Sequence, residues 1–235
     1  MLTINNLNSY YGSSHVLHNV SLQVNQGQGV ALIGRNGAGK SSMMKSIMGL
    51  MPKSVGDISY CGQPITKEKT HKRVRMGIGY VPEDRRIYKD LTVEENIMIA
   101  ANAIKKVRTP LKLEEVWNNF QLLRDLRHRK GSELSGGEQQ ILSIARSVVG
   151  RPKLILLDEP TEGIAPIIVQ ELKDVIKNMI SQMEVAVLLA EQNLKFTIEL
   201  TDYVYVIDNG QIVYADTSED FKDREDLHLK FLGVS

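Results

Sequence analysis

The sequence has little that would place the protein in an oxidising compartment or inside a membrane. Its 235 residues include one cysteine, Cys61, so the chain cannot form an internal disulfide, which suits a reducing cytoplasm. No apolar run approaches the ~18 residues that a membrane-spanning helix needs. We expect no signal peptide, because residues 1–8 are polar and lack a basic start. Any membrane role would therefore depend on a partner.

An excess of charge of either sign is also missing. Lys and Arg together number 29 and Asp and Glu 28, which gives a formal net charge of +1. Nucleic-acid-binding domains usually carry a clear basic excess, so we expect no nucleic-acid partner. The local basic runs at residues 67–75 and 124–130 fit solvated helix faces better. The length and the 42% hydrophobic content suit one large globular domain or a domain with a lobe.

What the sequence does contain is a phosphate-binding loop. Residues 34–41 read Gly-Arg-Asn-Gly-Ala-Gly-Lys-Ser, a full match to G-x-x-x-x-G-K-[ST]. Glycines let successive N–H groups point into one concavity that holds an anion. Lys40 can reach the β- and γ-phosphates, and the Ser41 hydroxyl can bind Mg²⁺. A predicted strand at residues 29–33 and a predicted helix at 42–50 flank the loop, which is the context that a nucleoside triphosphate site requires.

The remaining apolar pattern indicates an α/β fold. Continuous apolar runs at residues 154–157 and 185–190 are typical of parallel strands covered on both faces. Short β-like runs alternate with turns near the N-terminus, whereas residues 84–150 look mostly helical and interrupt the alternation. We interpret this helical stretch as a lobe inserted into a nucleotide-binding core.

Three local signals predict where individual elements begin or turn. Thr92 and Glu95 form a capping box at the start of a predicted helix. Pro166 is placed to begin an amphipathic helix that extends to about residue 183. The dipeptide at residues 209–210, Asn-Gly, predicts a tight hairpin between two β-like runs.

A second phosphate-site motif is an apolar strand that ends in two carboxylates, Asp158 and Glu159. An acid at the carboxyl end of a parallel strand lies at the edge where open α/β sheets bind ligands. Asp158 can hold Mg²⁺ directly or through water, and Glu159 can accept a proton from an attacking water. Many strands end in acids, so this motif gains weight from the phosphate loop that precedes it.

The third motif, Leu-Ser-Gly-Gly-Glu, opens an amphipathic helix at residues 134–138. Ser135 and Glu138 form a capping box, which by itself would indicate only a well-capped helix. Two adjacent glycines leave bare amides at the helix N-terminus, which makes a second anion site. Since one nucleotide is already held at Lys40, the second site suggests that the nucleotide of another copy docks here.

Together the three motifs resemble those of the ATP-binding subunits of ABC transporters, over nearly the whole chain. The resemblance implies that two ATPase domains pair head to tail, with each ATP between the phosphate loop of one and the LSGGE motif of the other. ATP and Mg²⁺ are the implied cofactors. The predicted fold class is α/β, a P-loop NTPase (RecA-like) core with a mainly parallel sheet. An N-terminal antiparallel β subdomain and an inserted α-helical subdomain (approximately residues 84–150) complete a single domain over residues 1–235.

The resemblance also implies roles for individual residues. Tyr11 would stack on adenine, with Val16 nearby. Asp158 would serve Mg²⁺, and Glu159 would be the general base. The residues implied in binding the nucleotide phosphates are Gly34, Arg35, Asn36, Gly37, Ala38, Gly39, Lys40, Ser41 and Ser42. Those implied in contacting the ATP of the partner subunit are Leu134, Ser135, Gly136, Gly137 and Glu138.

Two departures from the family pattern fall at catalytic positions. Where a glutamine usually follows the third core strand, this chain has Glu83, which we expect in the Mg²⁺ site with Ser41 and Asp158. Where a histidine usually contacts the γ-phosphate, it has Gln192, which we expect to act in catalysis beside Glu159. Glutamine cannot titrate near neutral pH, but its amide can donate to phosphate and accept from water.

A third departure is the loop at residues 161–166, which reads Thr-Glu-Gly-Ile-Ala-Pro in place of the usual Ser-x-Leu-Asp. All three departures look like one branch of the family, the ATPases of high-affinity importers for branched-chain amino acids and related amides such as urea. Those importers use two different ATPase subunits, and this chain resembles the second type. Independent drift at three loops fits less well, because all three changes match one branch.

The implied partners are a second ATPase subunit, identical or a sister chain, and two membrane permeases, with an extracytoplasmic solute-binding protein acting indirectly. The implied location is the cytoplasmic face of the membrane, peripheral through the permeases. The alternative is a soluble ABC ATPase of DNA repair, chromosome maintenance or translation. Such chains usually carry long coiled coils or two ATPase domains, for which 235 residues leave no room. A non-hydrolysing regulator on the same fold is disfavoured by Glu159.

Overall fold

The structure is a computed structural model that describes residues 1–232. In chain order its strands are β1 (Leu2–Tyr11), β2 (Ser14–Val24), β3 (Gly29–Ile33), β4 (Lys53–Tyr60), β5 (Gln63–Pro64), β6 (Ile78–Val81), β7 (Leu154–Asp158), β8 (Ala186–Glu191), β9 (Tyr203–Asp208) and β10 (Gln211–Thr217). Its helices are α1 (Lys40–Met48), α2 (Thr70–Met76), α3 (Val93–Ile104), α4 (Leu113–Asn119), α5 (Gln121–Asp125), α6 (Gly136–Val148), α7 (Pro166–Ser181), α8 (Leu194–Ile198), α9 (Ser218–Lys222) and α10 (Glu225–Leu227). Short 3₁₀ and π-helical turns lie at Gly131–Glu133 and His228–Leu232.

The larger sheet has six strands in the order β10-β9-β3-β8-β7-β6. Neighbouring strands from β9 to β6 pair in parallel, and only the edge strand β10 pairs antiparallel with its neighbour. Every residue of β3, β7 and β8 is buried, as expected for strands covered on both faces. The predicted P-loop NTPase core with a mainly parallel sheet is confirmed.

The smaller sheet contains four strands in the order β2-β1-β4-β5, and all of its neighbouring strands pair antiparallel. Buried residues of β1, among them Leu2 and Ile4, join a hydrophobic cluster with Met43 of α1 and Leu156 of β7. This shared cluster fastens the N-terminal sheet to the parallel one. The predicted antiparallel N-terminal subdomain is therefore also present.

The segment between β6 and β7 carries helices α3 to α6, although β6 and β7 are neighbours in the parallel sheet. The helices are thus inserted into the connection between two adjacent strands. Their apolar faces form a second cluster, which includes Val93, Phe120 and Ile141 together with Leu157 of β7. This arrangement agrees with helices inserted at approximately residues 84–150, while the division of the chain into a lobe and a core stays a prediction.

The local sequence signals mark real element boundaries. Thr92 caps α3 through two hydrogen bonds with Glu95: its amide donates to Glu95 Oε2 at 2.7 Å, and its Oγ1 accepts from the Glu95 amide at 3.2 Å. Pro166 is the first residue of α7. Asn209 and Gly210 have φ values of +45° and +73° and close the β9–β10 hairpin, as predicted. None of the helices in the described part of the chain has both the length and the apolar content needed to cross a membrane.

A buried arginine, which the sequence pattern did not reveal, joins α1 to the segment before β6. Arg73 lies in α2 and is 2% exposed. Its guanidinium donates to the carbonyl oxygens of Ser46 (2.9 Å) and Ile47 (2.7 Å) at the end of α1. It also donates to the carbonyls of Thr66 and Glu68, both at 2.8 Å. Burial lowers the pKa of Arg73, and these bonds stabilise its charge and the terminal helix carbonyls.

Replacing Arg73 by methionine should lower the free energy of unfolding by roughly 2–4 kcal/mol, because four carbonyls would lose a charged donor in a buried setting. Urea denaturation followed by circular dichroism measures this change. Arg75→Met is the matched control, since Arg75 lies in the same helix with an exposed side chain. Equal stability of the two variants would show that the bonds to Arg73 contribute nothing net.

Candidate nucleotide-binding site

The phosphate loop lies at the carboxyl end of β3 and leads into α1. Gly34 approaches the β9 strand so closely that a Cβ there would lie 2.4 Å from the carbonyl oxygen of Ile207. Gly39 has a φ of +114°, which glycine adopts readily, and it directs the chain into the helix at Lys40, two residues before the predicted start. The loop amides and the N-terminus of α1 therefore converge on one concavity that favours an anion.

The Lys40 ammonium group lies inside this loop, and the residue is only 3% exposed. Its Nζ donates to the carbonyl oxygens of Gly34 at 2.7 Å and Arg35 at 3.1 Å. It also forms an ion pair with Glu159 Oε1 at 3.0 Å. Each charge offsets the desolvation cost of the other. The structure thus brings the predicted phosphate-binding cation into direct contact with the predicted general base.

Ser41 and Asp158, which the two phosphate-site motifs predict as Mg²⁺ ligands, are also in contact with each other. Ser41 Oγ donates to Asp158 Oδ1 at 3.0 Å. Tyr80, at the middle of β6, donates its hydroxyl to Asp158 Oδ2 at 3.1 Å. Burial raises the pKa of Asp158, and the two hydrogen bonds oppose that rise. Burial and the Asp158 charge raise the pKa of Tyr80, so its hydroxyl keeps the proton that it donates.

This donor set fits a magnesium ion. Within residues 1–232 no three His, Cys, Asp or Glu side chains are arranged to hold a metal by themselves. A single hydroxyl and a single carboxylate are nevertheless what Mg²⁺ takes from a protein when phosphate oxygens and water supply the other ligands. Glu83 is exposed in the loop after β6, and its charge helps to raise the pKa of Glu162. A contact of Glu83 with the metal stays a prediction.

Glu159 is held between Lys40 and the residue predicted to act with it. The backbone of Glu159 has a φ of +47°, an uncommon conformation for a side chain of this size, and its amide donates to the Ala190 carbonyl at 2.9 Å. Gln192 Nε2 lies 3.4 Å from Glu159 Oε2. The Glu162 amide donates to the Glu159 carbonyl at 3.2 Å, and the neighbouring Glu159 carboxylate raises the pKa of Glu162. The neighbourhood of Glu159 thus contains a cation, an amide and a second carboxyl group.

Glu191 is a site residue that the sequence analysis missed. It ends β8, is 2% exposed, and accepts hydrogen bonds from the amides of Thr161 (2.9 Å), Gln192 (3.0 Å) and Asn193 (3.2 Å). The Thr161 hydroxyl also donates to it. One buried carboxylate therefore fastens the loop after Glu159 to the loop that carries Gln192. The available signal was an acid at the end of an otherwise apolar strand.

The cleft beside the phosphate loop has a volume of about 420 Å³ and extends toward the antiparallel sheet. Val16, predicted near adenine, lines it together with His15 and His18, which the sequence analysis did not select. Tyr10 stacks on His15 with ring centroids 4.3 Å apart. Tyr11 is 41% exposed at the end of β1 and is not among the residues that line this cleft in the described chain, so its stacking on adenine stays a prediction.

The LSGGE segment forms the start of α6. Ser135 is exposed, and its Oγ accepts from the Glu138 amide at 3.4 Å while Glu138 Oε2 accepts from the Ser135 amide at 2.6 Å, the predicted capping box. A Cβ on Gly137 would lie 2.5 Å from Ile168 Cγ2, so glycine is needed for α6 to pack on α7. Contact of these residues with a partner's ATP stays a prediction.

Comparison with known proteins agrees with these observations. The model of a family described as "ABC transporter" matches residues 17–162. The chain is 36% identical over 233 residues to the high-affinity branched-chain amino acid transport ATP-binding protein BraG of Pseudomonas aeruginosa, covering 99% of this chain and all of that protein. It is also 35% identical to the lipopolysaccharide export system ATP-binding protein LptB of Haemophilus influenzae, covering 99% of this chain and 97% of the relative.

Solved structures show the same architecture. The ADP conformation of MJ1267, described as an ATP-binding cassette of an ABC transporter, superposes with a TM-score of 0.81 at 26% identity. The match covers 98% of each chain. The similarity therefore extends across both sheets and the helical insertion.

Replacing Glu159 by glutamine should reduce ATP turnover by about a hundredfold or more, because the amide has almost the same shape but cannot accept the proton of an attacking water. ATP binding should persist, since the phosphate loop is unchanged. Phosphate release at saturating ATP and fluorescence titration with a labelled nucleotide measure the two quantities. Glu171→Gln, in an exposed position of α7, is the matched control.

Gln192→Ala should slow turnover less than Glu159→Gln, because Gln192 contacts the predicted base through a single amide at 3.4 Å and its side chain cannot accept a proton near neutral pH. Equal losses in the two variants would show that Gln192 is as essential as the base. Unreduced hydrolysis by a complex that carries Glu159→Gln at every site would refute the assignment of Glu159.

Proposed function

This chain belongs to the ABC transporter family, and we propose that it energises an importer for branched-chain amino acids or related polar amides such as urea. Family membership establishes it as an ABC ATPase, which couples ATP hydrolysis to transport. The importer and its cargo are the proposed part. The full-length similarity to BraG supports this cargo class, whereas the nearly equal similarity to LptB supports a different one.

The observation that carries the proposal is the structure around Glu159. The three loops that depart from the usual family pattern meet here, since Gln192 lies beside Glu159 and Thr161 is bonded to Glu191. Glu83 contributes to the charge around Glu162 in the same neighbourhood. These are the loops whose sequences resemble the branched-chain amino acid importers. Their convergence on one site favours a shared catalytic variant over unrelated drift.

The ion pair of Lys40 with Glu159 suggests how ATP binding prepares the base. Phosphate oxygens offer Lys40 partners with more negative charge than the carbonyls of Gly34 and Arg35. As the ammonium turns to the phosphates, Glu159 loses its cation and becomes free to accept a proton from water. In this mechanism the Gln192 amide, 3.4 Å from Glu159, would orient that water, as glutamine does in GTPases.

Ser41 and Asp158 would hold Mg²⁺, which would neutralise charge on the phosphates during transfer. Their hydrogen bond already holds Ser41 Oγ and Asp158 Oδ1 3.0 Å apart. Tyr80 holds the second oxygen of Asp158, which leaves the carboxylate in one orientation. The protein would therefore contribute a prealigned pair of hard oxygen ligands.

A head-to-tail pair with a second ATPase subunit is the proposed assembly. The start of α6 exposes Ser135 at a helix N-terminus, which is suited to the terminal phosphate of a nucleotide bound to the partner. A sister chain is the proposed physiological partner, in line with the two-ATPase importers that the sequence resembles. Such pairing makes hydrolysis depend on both subunits.

A groove between α2, β6 and the helical segment is the proposed permease contact. It has a volume of about 610 Å³, and its lining includes the exposed apolar residues Leu50 (47%) and Val74 (39%) beside Arg75 and Arg108. A short helix from a cytoplasmic loop of a permease, apolar on one face and acidic at its rim, would match this surface. The chain would then lie at the cytoplasmic face of the membrane, held there through the permeases. An ABC ATPase without a transport role is not favoured.

The cargo proposal can be tested by uptake. Disrupting the gene for this chain should reduce accumulation of labelled leucine, isoleucine, valine or urea from low external concentrations, because the permeases would lose their energy source. The unmodified gene should restore uptake, whereas a Lys40→Ala variant should not. Unchanged uptake of all these compounds together with impaired lipopolysaccharide export would contradict the proposal and favour the LptB-like role.

A further inference from the structure

The two arginines that follow Glu83 and Asp84 adopt an unusual backbone. Arg85 and Arg86 have φ values of +59° and +48°, in the left-handed region that side chains other than glycine, asparagine and aspartate rarely enter. The Arg85 amide donates to the Pro82 carbonyl at 3.0 Å, which closes the turn. Such a conformation persists only where the surrounding contacts hold it. Contacts with other parts of the protein must therefore hold this turn in its unusual conformation.

The contacts that hold the turn come from α6. Ser143 Oγ donates to the Arg85 carbonyl at 2.6 Å, and Arg146 Nη1 donates to the Arg86 carbonyl at 2.6 Å. Both donors lie on the helix that begins with the LSGGE segment. The turn and the helix are thus fixed to each other over two successive residues.

The two arginine side chains then take different directions. Arg86 is 70% exposed and pairs with Asp84 at 2.9 Å. Arg85 instead donates from Nη2 to the Glu162 carbonyl at 3.1 Å, in the loop that follows Glu159. Its guanidinium also lies against Gly136, where a Cβ would be 2.9 Å from Nη1. A single side chain therefore contacts both the LSGGE segment and the loop after the base.

Neither contact is explained by electrostatic stabilisation of α6. A cation is disfavoured at the N-terminus of a helix, where the backbone dipole is already positive. The Arg85 Nε is buried and has no acceptor within residues 1–232. The guanidinium is held by its hydrogen bond to the Glu162 carbonyl. The geometry is therefore suited to connecting the two segments and not to maximal stability.

We propose that Arg85 is a positioning residue for ATP turnover. Its guanidinium fixes the start of α6, which would face the partner's nucleotide, relative to the loop after Glu159 in this subunit's own site. The turn from Pro82 to Arg85 follows β6, which forms one wall of the proposed permease groove, so the same residue also lies next to that groove. This inference rests on the proposed head-to-tail assembly, because only there do the two segments act on two nucleotides.

The first test uses the isolated chain and does not depend on the assembly. In hydrogen exchange, Arg85→Ala should accelerate amide exchange about fivefold or more in peptides covering residues 134–138 and 160–166. Arg86→Ala is the matched control, since it removes the same charge from the adjacent residue of the same turn, and it should leave both segments unchanged. Equal exchange in the two variants would overturn the inference.

The second test uses the assembled transporter. Arg85→Ala should lower kcat about tenfold, while the Tm and the nucleotide affinity of the isolated chain are preserved. Arg224→Ala is the control in the complex, because Arg224 is a surface arginine paired with Asp226 away from the proposed permease groove, and it should stay within about twofold of the unmodified complex. Arg85→Lys keeps the charge but loses the planar fork, so it should not restore kcat. Full rescue by lysine, or a loss of nucleotide affinity as large as the loss of kcat, would overturn a positioning role.

A control separates this inference from the assembly on which it rests. The Glu159→Gln chain with intact Arg85 should dimerise on addition of ATP, alone or with the sister ATPase subunit. Failure of that control refutes the head-to-tail arrangement itself. If the Glu159→Gln chain dimerises and the added Arg85→Ala change weakens its dimer affinity at least about tenfold, the result supports the role of Arg85. An unaltered dimer affinity in the double variant contradicts that role.

Discussion

The buried ion pair between Lys40 and Glu159 is the interaction on which the site depends. Both residues are almost fully enclosed, and their charged atoms are 3.0 Å apart. Removing one member of such a pair typically costs about 3–5 kcal/mol, because the other charge is left without a partner. The pair therefore keeps the proposed phosphate-binding cation and the proposed base ordered at one place. In the proposed mechanism the same contact also makes release of the base a consequence of phosphate binding.

The elements around this pair connect it to the surfaces where partners are proposed to bind. Glu191 fastens the loop after Glu159 to the loop of Gln192, so a shift at one is transmitted to the other. Arg85 connects the loop after Glu159 to the start of α6. The contacts form a continuous path of hydrogen bonds and packing from Glu159 toward the helical segment. In the proposed assembly such a path would connect ATP binding to the permease contact.

Much of what could be predicted from the sequence had a local cause. The phosphate loop, the two capping boxes and the Asn209–Gly210 turn each depend on residues within a few positions of one another. Contacts between distant segments could not be predicted in this way. Tyr80 reaches Asp158 only because β6 and β7 are adjacent in the sheet, and Glu191 meets Thr161 only because β8 lies on the other side of β7. The hydrophobic periodicity of the sequence does not show which strands are adjacent in the sheet, so Tyr80 and Glu191, which orient the site, were found only in the structure.

The most direct test of this account is a crystal structure of the chain with Mg²⁺ and a non-hydrolysable ATP analogue. The account predicts that Lys40 Nζ contacts the β- and γ-phosphate oxygens and that the Glu159 carboxylate has left hydrogen-bonding distance of Lys40 to face a water beside the terminal phosphate. Retention of the Lys40–Glu159 contact with the analogue fully bound would contradict it, because the base would then be occupied when the substrate is in place.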